Sequence, residues 1–382
     1  MTEKKVMIVT GEASGDMHGA NLIKAMKAIQ PDLSVYGMGG EALIAQGMEP
    51  LYDAAKLSVI GILEVFSHLR DIRAAQHILG RQLKVDRPGL LILIDLPDFN
   101  LMLAKKAKKL GIPVFYYISP QVWAWRSGRV KKIKRLVDRM AVIMPFEKDF
   151  YQQRGMAVDF VGHPLLDEVK SKGSRAEFLV GHGIEDTGQK IIGILPGSRR
   201  KEVAAMLPVF IEAARLIAKK LERTTFLLPV APTLADADLA GYGLEESGLD
   251  IRLIRGDRYD LMGACDAVVA ASGTVTLELG ILKVPMVVSY RLSPISYFLG
   301  RRFIKVDYAS LINLIAGREV VPELLQENAL PGNISAELLR LLVDKEACAL
   351  MKKELAEVVD SLGGPGASRR AAELALAVAL WH

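Results

Sequence analysis

The amino-acid sequence predicts an α/β fold made of two Rossmann-like, doubly wound parallel domains. Short, almost uniformly apolar runs alternate with longer amphipathic segments, which is the pattern of parallel strands covered by helices on both faces. This alternation runs through the first half of the chain and restarts near residue 190. The length of 382 residues suffices for two such domains at roughly 150 residues each.

Each half of the chain supplies its own set of predicted strands. The apolar runs of the first half are Val6–Thr10, Ser34–Gly37, Leu90–Ile94, Val114–Ile118 and Met140–Met144. Helical periodicity lies between them, for example over His18–Ile29 and Phe99–Leu110. The runs of the second half are Lys190–Leu195, Thr225–Val230, Ile251–Ile254, Ala267–Ala270 and Met286–Ser289. Helices are expected to dominate from about Ser335 onward.

The segment Gly162–Gly188 contains two polar patches, Lys170–Arg175 and Glu185–Gln189, which predict a linker between the two domains. We therefore expect an N-terminal domain over residues 1–168 and a C-terminal domain over residues 169–365. Ligands of doubly wound sheets bind beyond the carboxyl ends of the strands. The two domains are accordingly expected to face each other across a cleft that is lined by the residues that directly follow strands.

Composition excludes several classes of protein. Hydrophobic residues make up 51% and charged residues 24% of the chain, which excludes intrinsic disorder. Cys265 and Cys348 alone cannot form a disulfide framework or a cysteine zinc site, so a reducing compartment is favoured. We find neither a signal-peptide pattern nor an apolar run of about 18 residues, and expect a cytoplasmic protein. The net charge of +5 allows an anionic partner but does not choose among nucleic acid, phosphate and lipid.

Several common site motifs are absent from the sequence. It contains no Walker A loop, no G-x-G-x-x-G after a strand, no H-E-x-x-H and no G-x-S-x-G elbow. Asp236 and Asp238 are interpreted as acidic residues at a helix N-terminus rather than as metal ligands. The sequence therefore predicts neither a metal site nor a cofactor.

A glycine-containing loop, Gly11–Gly19, follows the first predicted strand. Gly15 lets the backbone approach a ligand closely, and it lies between Ser14 and Asp16, either of which can cap the following helix. His18 is expected in the first turn of that helix, at the mouth of the cleft. The alternative is a well-capped turn that binds no ligand.

Two carboxylates, Asp95 and Asp98, lie near the carboxyl end of the very apolar strand Leu90–Ile94. A carboxylate in this position can act as a general base. Alternatively, Asp98 caps a helix in a Pro-Asp-Phe turn. The residues alone leave both interpretations open.

Gly197 and Ser198 open a predicted helix directly after the first strand of the second half. The free N–H groups and the positive end of the helix dipole suit a phosphate, and Arg199 can stabilise a departing anionic group. The alternative is an ordinary turn with a solvated arginine.

A second helix that starts directly after a strand also suits a phosphate at its N-terminus. A carboxylate lies four residues after this helix start, on the same face of the helix. The residues are Ser272, Gly273, Thr274 and Glu278. Glu278 is placed to hold ribose hydroxyls. Together with the preceding loop, this helix start predicts a nucleotide-binding second half.

Two segments of the first half are candidates for a lipid surface. Trp123–Arg139 carries seven basic residues between Arg126 and Arg139, and its alternative interpretation is an amphipathic helix with a solvated basic face. The segment Leu57–Leu69 has more apolar residues than one helical stripe can hold, so it is either an interfacial patch or a helix buried on two sides. The residues of the candidate membrane patch are Ile60, Ile62, Leu63, Phe66 and Leu69.

The chain resembles the lipid-A-disaccharide synthases over nearly its whole length. The resemblance rests on strings that occur in family order: GEASGD (11–16), IDLPDFN (94–100), SPQVWAWR (119–126), PFEKDFY (145–151), FVGHPLLD (160–167), LPGSR (195–199), ASGTVTLE (271–278) and NLIAGRE (313–319). It implies a GT-B-type fold in which a C-terminal helix, here about residues 366–382, returns to the N-terminal domain.

The resemblance also implies an activity. Members of the family are inverting, metal-independent glycosyltransferases of lipid A biosynthesis in Gram-negative bacteria. They join UDP-2,3-diacylglucosamine to 2,3-diacylglucosamine 1-phosphate, giving a β-1,6-linked tetraacyl disaccharide 1-phosphate and UDP. A peripheral position on the phospholipid surface at the inner face of the inner membrane, a homodimer and no nucleic-acid partner are implied as well.

Roles for individual residues follow from this resemblance. Asp98 is the first choice for the base and Asp95 the second, with His18 orienting the acceptor or the base. The leaving diphosphate is assigned to Arg199, Ser198 and the helix start at Ser272–Thr274. By resemblance, Asn313 and Arg318 also line the UDP pocket. The rival interpretations are a peptidoglycan-type transferase, a UDP-N-acetylglucosamine 2-epimerase and a non-catalytic binding protein.

Overall fold

The computed structural model describes residues 4–54, 69–125, 127–292 and 307–381. The chain forms two compact units. Unit 1 comprises Met1–Leu166 together with Leu362–His382, and unit 2 comprises Asp167–Ser361.

Unit 1 is built on a seven-stranded, all-parallel sheet with the strand order β3-β2-β1-β4-β5-β6-β7. Its strands are β1 (Lys4–Val9), β2 (Leu33–Gly39), β3 (Met48–Asp53), β4 (Leu90–Leu93), β5 (Val114–Tyr117), β6 (Arg139–Val142) and β7 (Asp159–Phe160). The central strands β1 and β4 are adjacent and in register from Val6↔Leu90 to Val9↔Leu93. All side chains of β4 are buried, as their uniformly apolar sequence predicts.

The helices of unit 1 connect and cover these strands. They are α1 (Ala13–Ile29), α2 (Glu41–Ala45), α3 (Leu69–Asp86), α4 (Pro97–Lys109), α5 (Val122–Trp125), α6 (Val130–Leu136), α7 (Pro145–Gln152) and the C-terminal α16 (Ala367–Val378). Helix α16 packs on α1 through a buried stripe of small side chains, Ala367, Ala371 and Ala375. The four-residue spacing of these alanines places them on one face of the helix and lets the two helices approach closely.

Unit 2 is built on a six-stranded, all-parallel sheet with the order β10-β9-β8-β11-β12-β13. Its strands are β8 (Lys190–Leu195), β9 (Thr224–Pro229), β10 (Ile251–Ile254), β11 (Ala267–Ala270), β12 (Met286–Tyr290) and β13 (Glu323–Leu325). Its helices are α8 (Leu165–Glu168, which begins at the end of unit 1), α9 (Arg175–Gly181), α10 (Arg200–Ala218), α11 (Arg258–Ala264), α12 (Val275–Ile281), α13 (Leu311–Ala316), α14 (Pro331–Val343) and α15 (Lys345–Ser361).

The prediction of two parallel-sheet α/β domains is confirmed. Strands β3, β7 and β13 are not among the predicted strands. Strand β3 reads Met-Glu-Pro-Leu-Tyr-Asp and lies at the sheet edge, where exposed polar side chains are tolerated. Strands β7 and β13 span only two and three residues, which is too short for a periodic signal.

Within the described residues, no helix combines the length and the apolar character that crossing a bilayer requires. Four residues of the predicted membrane patch, Ile60, Ile62, Leu63 and Phe66, lie outside the described ranges. The fifth, Leu69, begins α3, and its side chain also lies outside the described part.

Candidate active site

The carboxyl end of β4 leads into a strained turn. Asp95 has φ +54° and Leu96 has φ +39°, so two consecutive residues other than glycine adopt the left-handed conformation. Each such residue costs on the order of 1–3 kcal/mol and persists only where the surroundings enforce it. Helix α4 begins directly after this turn, with Pro97 in its first position.

Buried donors hold the backbone of this turn. The side-chain amide of Asn100 donates to the carbonyl oxygens of Ile94 at 2.9 Å and Asp95 at 2.6 Å. The hydroxyl of Tyr116 on β5 also donates to the carbonyl oxygen of Asp95, at 2.6 Å. Asn100 and Tyr116 are both fully buried, so neither donor exchanges its partner for water.

The carboxylate of Asp95 lies at the carboxyl edge of the unit 1 sheet, against Thr10 and Gly15. Its Oδ2 atom is buried and accepts no hydrogen bond from the described part of the chain. Burial, followed by the negative charge of Glu12, raises the pKa of Asp95 to about 7. A carboxylate with this pKa can take a proton near neutral pH.

Asp98 occupies a different environment, although it is only three residues away. Its side chain is 69% exposed, and its Oδ1 atom pairs with Arg129 Nη2 at 2.5 Å. It lies in the first turn of α4, where the helix dipole stabilises a negatively charged carboxylate. The two aspartates therefore lie in different environments. The carboxylate of Asp95 lies at the sheet edge beside Thr10 and Gly15, and that of Asp98 forms an exposed ion pair.

The expectation that Ser14 or Asp16 caps α1 is wrong. The N-cap of α1 is Glu12, which makes no side-chain capping bond, and Ser14 is exposed. Asp16 instead caps α2, because its carboxylate accepts the backbone N–H groups of Gly40 at 2.6 Å and Ala42 at 2.9 Å. This residue ties the glycine loop to the next helix of the unit.

His18 is buried within α1 and does not open onto a surface. Its spacing from Gly15 and Leu22 places it on the core face of the helix. Burial lowers the pKa of His18 to about 4. Burial and the neighbouring His18 lower the pKa of His163 to about 3. Both imidazoles are thus neutral at pH 7, and sequence reasoning had not assigned His163 to the site.

A buried carboxylate that sequence reasoning missed links two of the family strings. Glu147, at the start of α7, accepts the indole N–H of Trp123 at 3.1 Å and the backbone N–H of Met144 at 3.0 Å. Burial raises the pKa of Glu147 to about 7, and these donors oppose the rise. Trp123 also packs edge-on against Phe146 with ring centroids 5.1 Å apart. Glu147 thereby anchors the segment that follows β5.

The loop after β8 in unit 2 already holds an internal anion. The carboxylate of Glu202 accepts the backbone N–H groups of Ser198 at 3.2 Å and Arg199 at 3.3 Å. Gly197, with φ +111°, brings its backbone against Glu202. The expectation of free N–H groups at this helix start is therefore wrong, because these groups donate to the carboxylate of Glu202. Their binding of a carboxylate agrees with the preference of helix N-termini for anions. The side chain of Arg199 is 77% exposed and pairs with Glu202 at 3.5 Å.

The second helix start of unit 2 contains an ion pair whose carboxylate is buried and whose guanidinium is half exposed. Glu278 on α12 is buried and accepts Nη2 of Arg258 at 2.7 Å. Burial raises the pKa of Glu278, and the charge of Arg258 opposes the rise. Ser272 donates its hydroxyl to the carbonyl oxygen of Ala309. Arg258 is the first residue of α11, which follows β10. It was not among the site residues predicted from the sequence.

The remaining residues of this helix start are open. Gly273 is exposed, and no atom of the described residues lies within 4 Å of the position that a side chain would occupy. Thr274 is the N-cap of α12 and makes no side-chain capping bond. The loop therefore has room for a ligand beside Glu278.

The assignment of Asn313 and Arg318 to a UDP pocket does not fit their contacts. Asn313 is fully buried, and its amide bonds to Val320, Val321 and Glu323 use both its donor and its acceptor ends. Arg318 pairs with Glu354 on α15. Both residues therefore hold elements of unit 2 together.

The described residues contain no group of three or more histidine, cysteine, aspartate and glutamate side chains arranged to hold a metal ion. Unit 1 contains a carboxylate with a raised pKa, Asp95, at the edge of its sheet. Unit 2 contains one helix start whose backbone N–H groups donate to Glu202, and a second helix start beside the ion pair of Glu278 with Arg258.

Solved structures of similar fold define the class. The glycotransferase of kitacinnamycin matches with a TM-score of 0.67 at 16% identity, over 98% of this chain and 99% of that one. The UDP-GlcNAc 2-epimerase of Neisseria meningitidis, solved with UDP-GlcNAc, matches with a TM-score of 0.65 at 14% identity, over 98% of this chain and 100% of that one. The fold is that of the GT-B-type glycosyltransferases and of these epimerases.

Sequence comparison then gives the family. The family model described as lipid-A-disaccharide synthetase matches residues 6–378. The lipid-A-disaccharide synthase of Geobacter metallireducens is 48% identical over 373 residues, which cover 98% of this chain and 97% of that protein. The enzyme of the same name from Trichlorobacter lovleyi is 50% identical over 375 residues, with 98% and 97% covered. The chain belongs to the lipid-A-disaccharide synthase family and is a glycosyltransferase of lipid A biosynthesis.

Proposed function

We propose that the chain transfers 2,3-diacylglucosamine from its UDP derivative to the 6-hydroxyl of 2,3-diacylglucosamine 1-phosphate, with inversion and without a metal ion. The products are the β-1,6-linked tetraacyl disaccharide 1-phosphate and UDP. The observation that carries the proposal is Asp95. It is a carboxylate at the carboxyl edge of a parallel sheet, whose Oδ2 accepts no hydrogen bond from the described residues and whose pKa is about 7.

Inversion requires a base on the acceptor, on the side opposite the leaving UDP. Asp95 removes the proton of the 6-hydroxyl as that oxygen attacks the anomeric carbon, and the bond from this carbon to the β-phosphate oxygen breaks. Asp98, the first choice from sequence, becomes the second choice because it is exposed and paired with Arg129. His18 supports the loop from inside the helix layer, since it is buried and neutral.

The leaving diphosphate is assigned to unit 2. Ser198 and Arg199 offer backbone N–H groups that already select the carboxylate of Glu202, and a diphosphate in this place displaces that carboxylate. The exposed guanidinium of Arg199 then stabilises the charge that develops on UDP. Glu278, oriented by Arg258, is the acceptor for ribose hydroxyls.

A phospholipid surface is the proposed location of the reaction, because both substrates are lipids. Helices α3, α4 and α6 carry twelve lysine and arginine residues against three aspartates, a net charge of +9. The whole chain has a net charge of only +5, so this helical layer holds the excess positive charge. Each basic residue near an anionic leaflet contributes about 1 kcal/mol to binding.

The test is release of UDP from UDP-2,3-diacylglucosamine in detergent micelles that contain EDTA, with and without 2,3-diacylglucosamine 1-phosphate. We expect release that requires the acceptor and survives EDTA. An Asp95→Asn variant that still binds UDP is the matched control and is expected to be inactive. Acceptor-independent conversion of the sugar nucleotide would instead support an epimerase, and UDP binding without turnover would support a binding protein.

A further inference from the structure

We propose that Asn100 and Tyr116 are positioning residues, which hold the turn at Asp95 in the conformation that aims its carboxylate at Thr10 and Gly15. The inference deepens the proposed function and rests on it, because it takes Asp95 to be the base. Within the described residues, neither side chain donates a hydrogen bond to the buried Oδ2 atom of the carboxylate. Both act on the backbone that carries it.

The conformation of the turn is unfavourable by itself. Asp95 and Leu96 both have positive φ values, and neither has the conformational freedom of glycine. A relaxed turn would change the direction of the Cα–Cβ bond of Asp95 and move the carboxylate away from the sheet edge. Some interaction must therefore hold the strained form.

The hydrogen bonds of the turn converge on one atom. The carbonyl oxygen of Asp95 accepts from Asn100 Nδ2 and from Tyr116 Oη, each at 2.6 Å. Asn100 also donates to the carbonyl of Ile94, the residue before the turn, at 2.9 Å. These bonds fix the peptide planes on both sides of the Asp95 α-carbon, and hence its φ and ψ angles.

The two residues reach this atom from different elements. Asn100 lies in the first turns of α4, and Tyr116 lies on β5, the strand beside β4. Both side chains are fully buried, in a position where an unpaired polar group is costly. Both Asn100 and Tyr116 donate to the carbonyl oxygen of Asp95. This arrangement is explained if the carbonyl of the strained turn must be kept in place.

The test uses Tyr116→Phe, which removes only the donated O–H. The matched control is Tyr151→Phe, because the hydroxyl of Tyr151 is also buried in unit 1 but bonds to Ser119 Oγ, at 2.7 Å, and not to the turn. For both variants we would measure kcat, the KM of each substrate, the pH profile of kcat and the melting temperature.

We expect Tyr116→Phe to lower kcat by about tenfold or more with little change in either KM, since a small displacement of a catalytic group is costly. The acid limb of its pH profile is expected to move to lower pH, because a released Asp95 carboxylate becomes better solvated. The control is expected to lose similar thermal stability and to keep kcat within about twofold of the unmodified enzyme. Asn100→Ala, which removes two bonds, should show a larger loss of kcat than Tyr116→Phe.

Two results would overturn the inference. If Tyr116→Phe matches Tyr151→Phe in kcat and in pH profile, the hydrogen bonds only stabilise the fold, and Asp95 stands as the base on its own. If Asp95→Asn keeps its turnover, the base assignment fails and the positioning role fails with it. If Asn100→Ala does not fold, the comparison of the two tyrosine variants still decides.

Discussion

The carboxylate of Asp95 touches the backbone of Gly15, so a side chain at position 15 has no space. A β-carbon at residue 15 would lie 2.1 Å from Oδ2 of Asp95 and 2.4 Å from Oγ1 of Thr10. The glycine of this loop is therefore required by the neighbouring carboxylate, and its backbone conformation is ordinary helix.

The Gly15→Ala variant should lose activity while its helix remains formed. Alanine favours a helix by roughly 1 kcal/mol over glycine, but here the added methyl group must push Asp95 out of place. We expect kcat to fall about 100-fold. Gly19→Ala is the control, because it lies in the same helix and a β-carbon there would meet only apolar side-chain ends at 3.2–3.3 Å. Equal kcat values for the two variants would show that the contact with Asp95 is unimportant for turnover.

The two aspartates should separate clearly on substitution. We expect Asp95→Asn to reduce kcat at least about 1000-fold, because an amide cannot accept the proton, and to leave UDP affinity unchanged. Asp98→Asn breaks an exposed ion pair with Arg129 and should cost less than about tenfold. Kinetics and UDP titration of both variants test this order, and the reverse order of effects would restore Asp98 as the base.

The acid limb of the pH profile should respond to Glu12. Asp95 acts in its ionised form, so kcat/KM should fall as pH drops below about 7. The negative charge of Glu12 contributes to the raised pKa of Asp95, and Glu12→Gln removes it. The limb should therefore move to lower pH, by about half a unit for a solvent-exposed charge. Glu49→Gln on β3 makes the same change of charge at the far edge of the sheet and should leave the profile in place.

Asn313 should behave as a structural residue of unit 2. Asn313→Ala removes a fully buried amide and leaves the N–H groups of Val320 and Val321 without their acceptor. We expect the free energy of unfolding to fall by about 3 kcal/mol. Arg318→Ala breaks exposed ion pairs and should cost less than about 1 kcal/mol. Loss of UDP affinity with unchanged stability in Asn313→Ala would return this residue to the nucleotide pocket.

The cationic helical layer should govern binding to anionic membranes. Lys131, Lys132, Lys134 and Arg135 of α6 are exposed, and none of them makes an ion pair within the described ranges. Lys131 and Lys132 lie in the first turn of α6, where the helix dipole disfavours a positive charge. An interaction with the helix dipole therefore does not account for these two lysines. Changing all four residues to glutamine should weaken binding to vesicles that contain anionic lipid about 1000-fold at low salt, since each contributes about 1 kcal/mol.

A variant of unit 2 provides the control for this experiment. Lys219, Lys220, Lys352 and Lys353 are exposed, and their replacement by glutamine makes the same change in net charge. This variant should keep its affinity for anionic vesicles. Equal losses in the two variants would show that net charge alone, and no particular surface, determines binding. The apolar patch is tested separately by the triple substitution of Ile62, Phe66 and Leu69 with serine, which should also release the protein from vesicles.

The fold could be predicted where each element carries its own signal. Strands such as β4 and β11 are uniformly apolar because both faces are buried, so the sequence marks them clearly. Strand β3 could not be recognised from its own sequence pattern. It is a strand because it pairs with β2. The division of the chain between the two sheets followed from the repetition of the pattern.

The candidate site was less predictable, because its chemistry depends on distant contacts. Asp95 and Asp98 are equivalent in sequence, and only the left-handed turn buries the Oδ2 atom of Asp95 and leaves Asp98 exposed. Asp16 caps a helix 24 residues away. Arg258 gains its role only through its contact with Glu278, so no local motif marks it.

The C-terminal helix α16 gives the molecule the topology of an inserted domain. The chain leaves unit 1 after Leu166 and re-enters it at Leu362, and His163 N donates to the carbonyl oxygen of Leu362 at 3.0 Å. The two ends of the insertion are thus nearly in contact, as in proteins that tolerate domain grafting. During synthesis, unit 2 can complete its own sheet first, whereas the face of α1 that α16 covers stays bare until Ala367–Val378 leaves the ribosome. Unit 1 is begun before unit 2 and is completed after it.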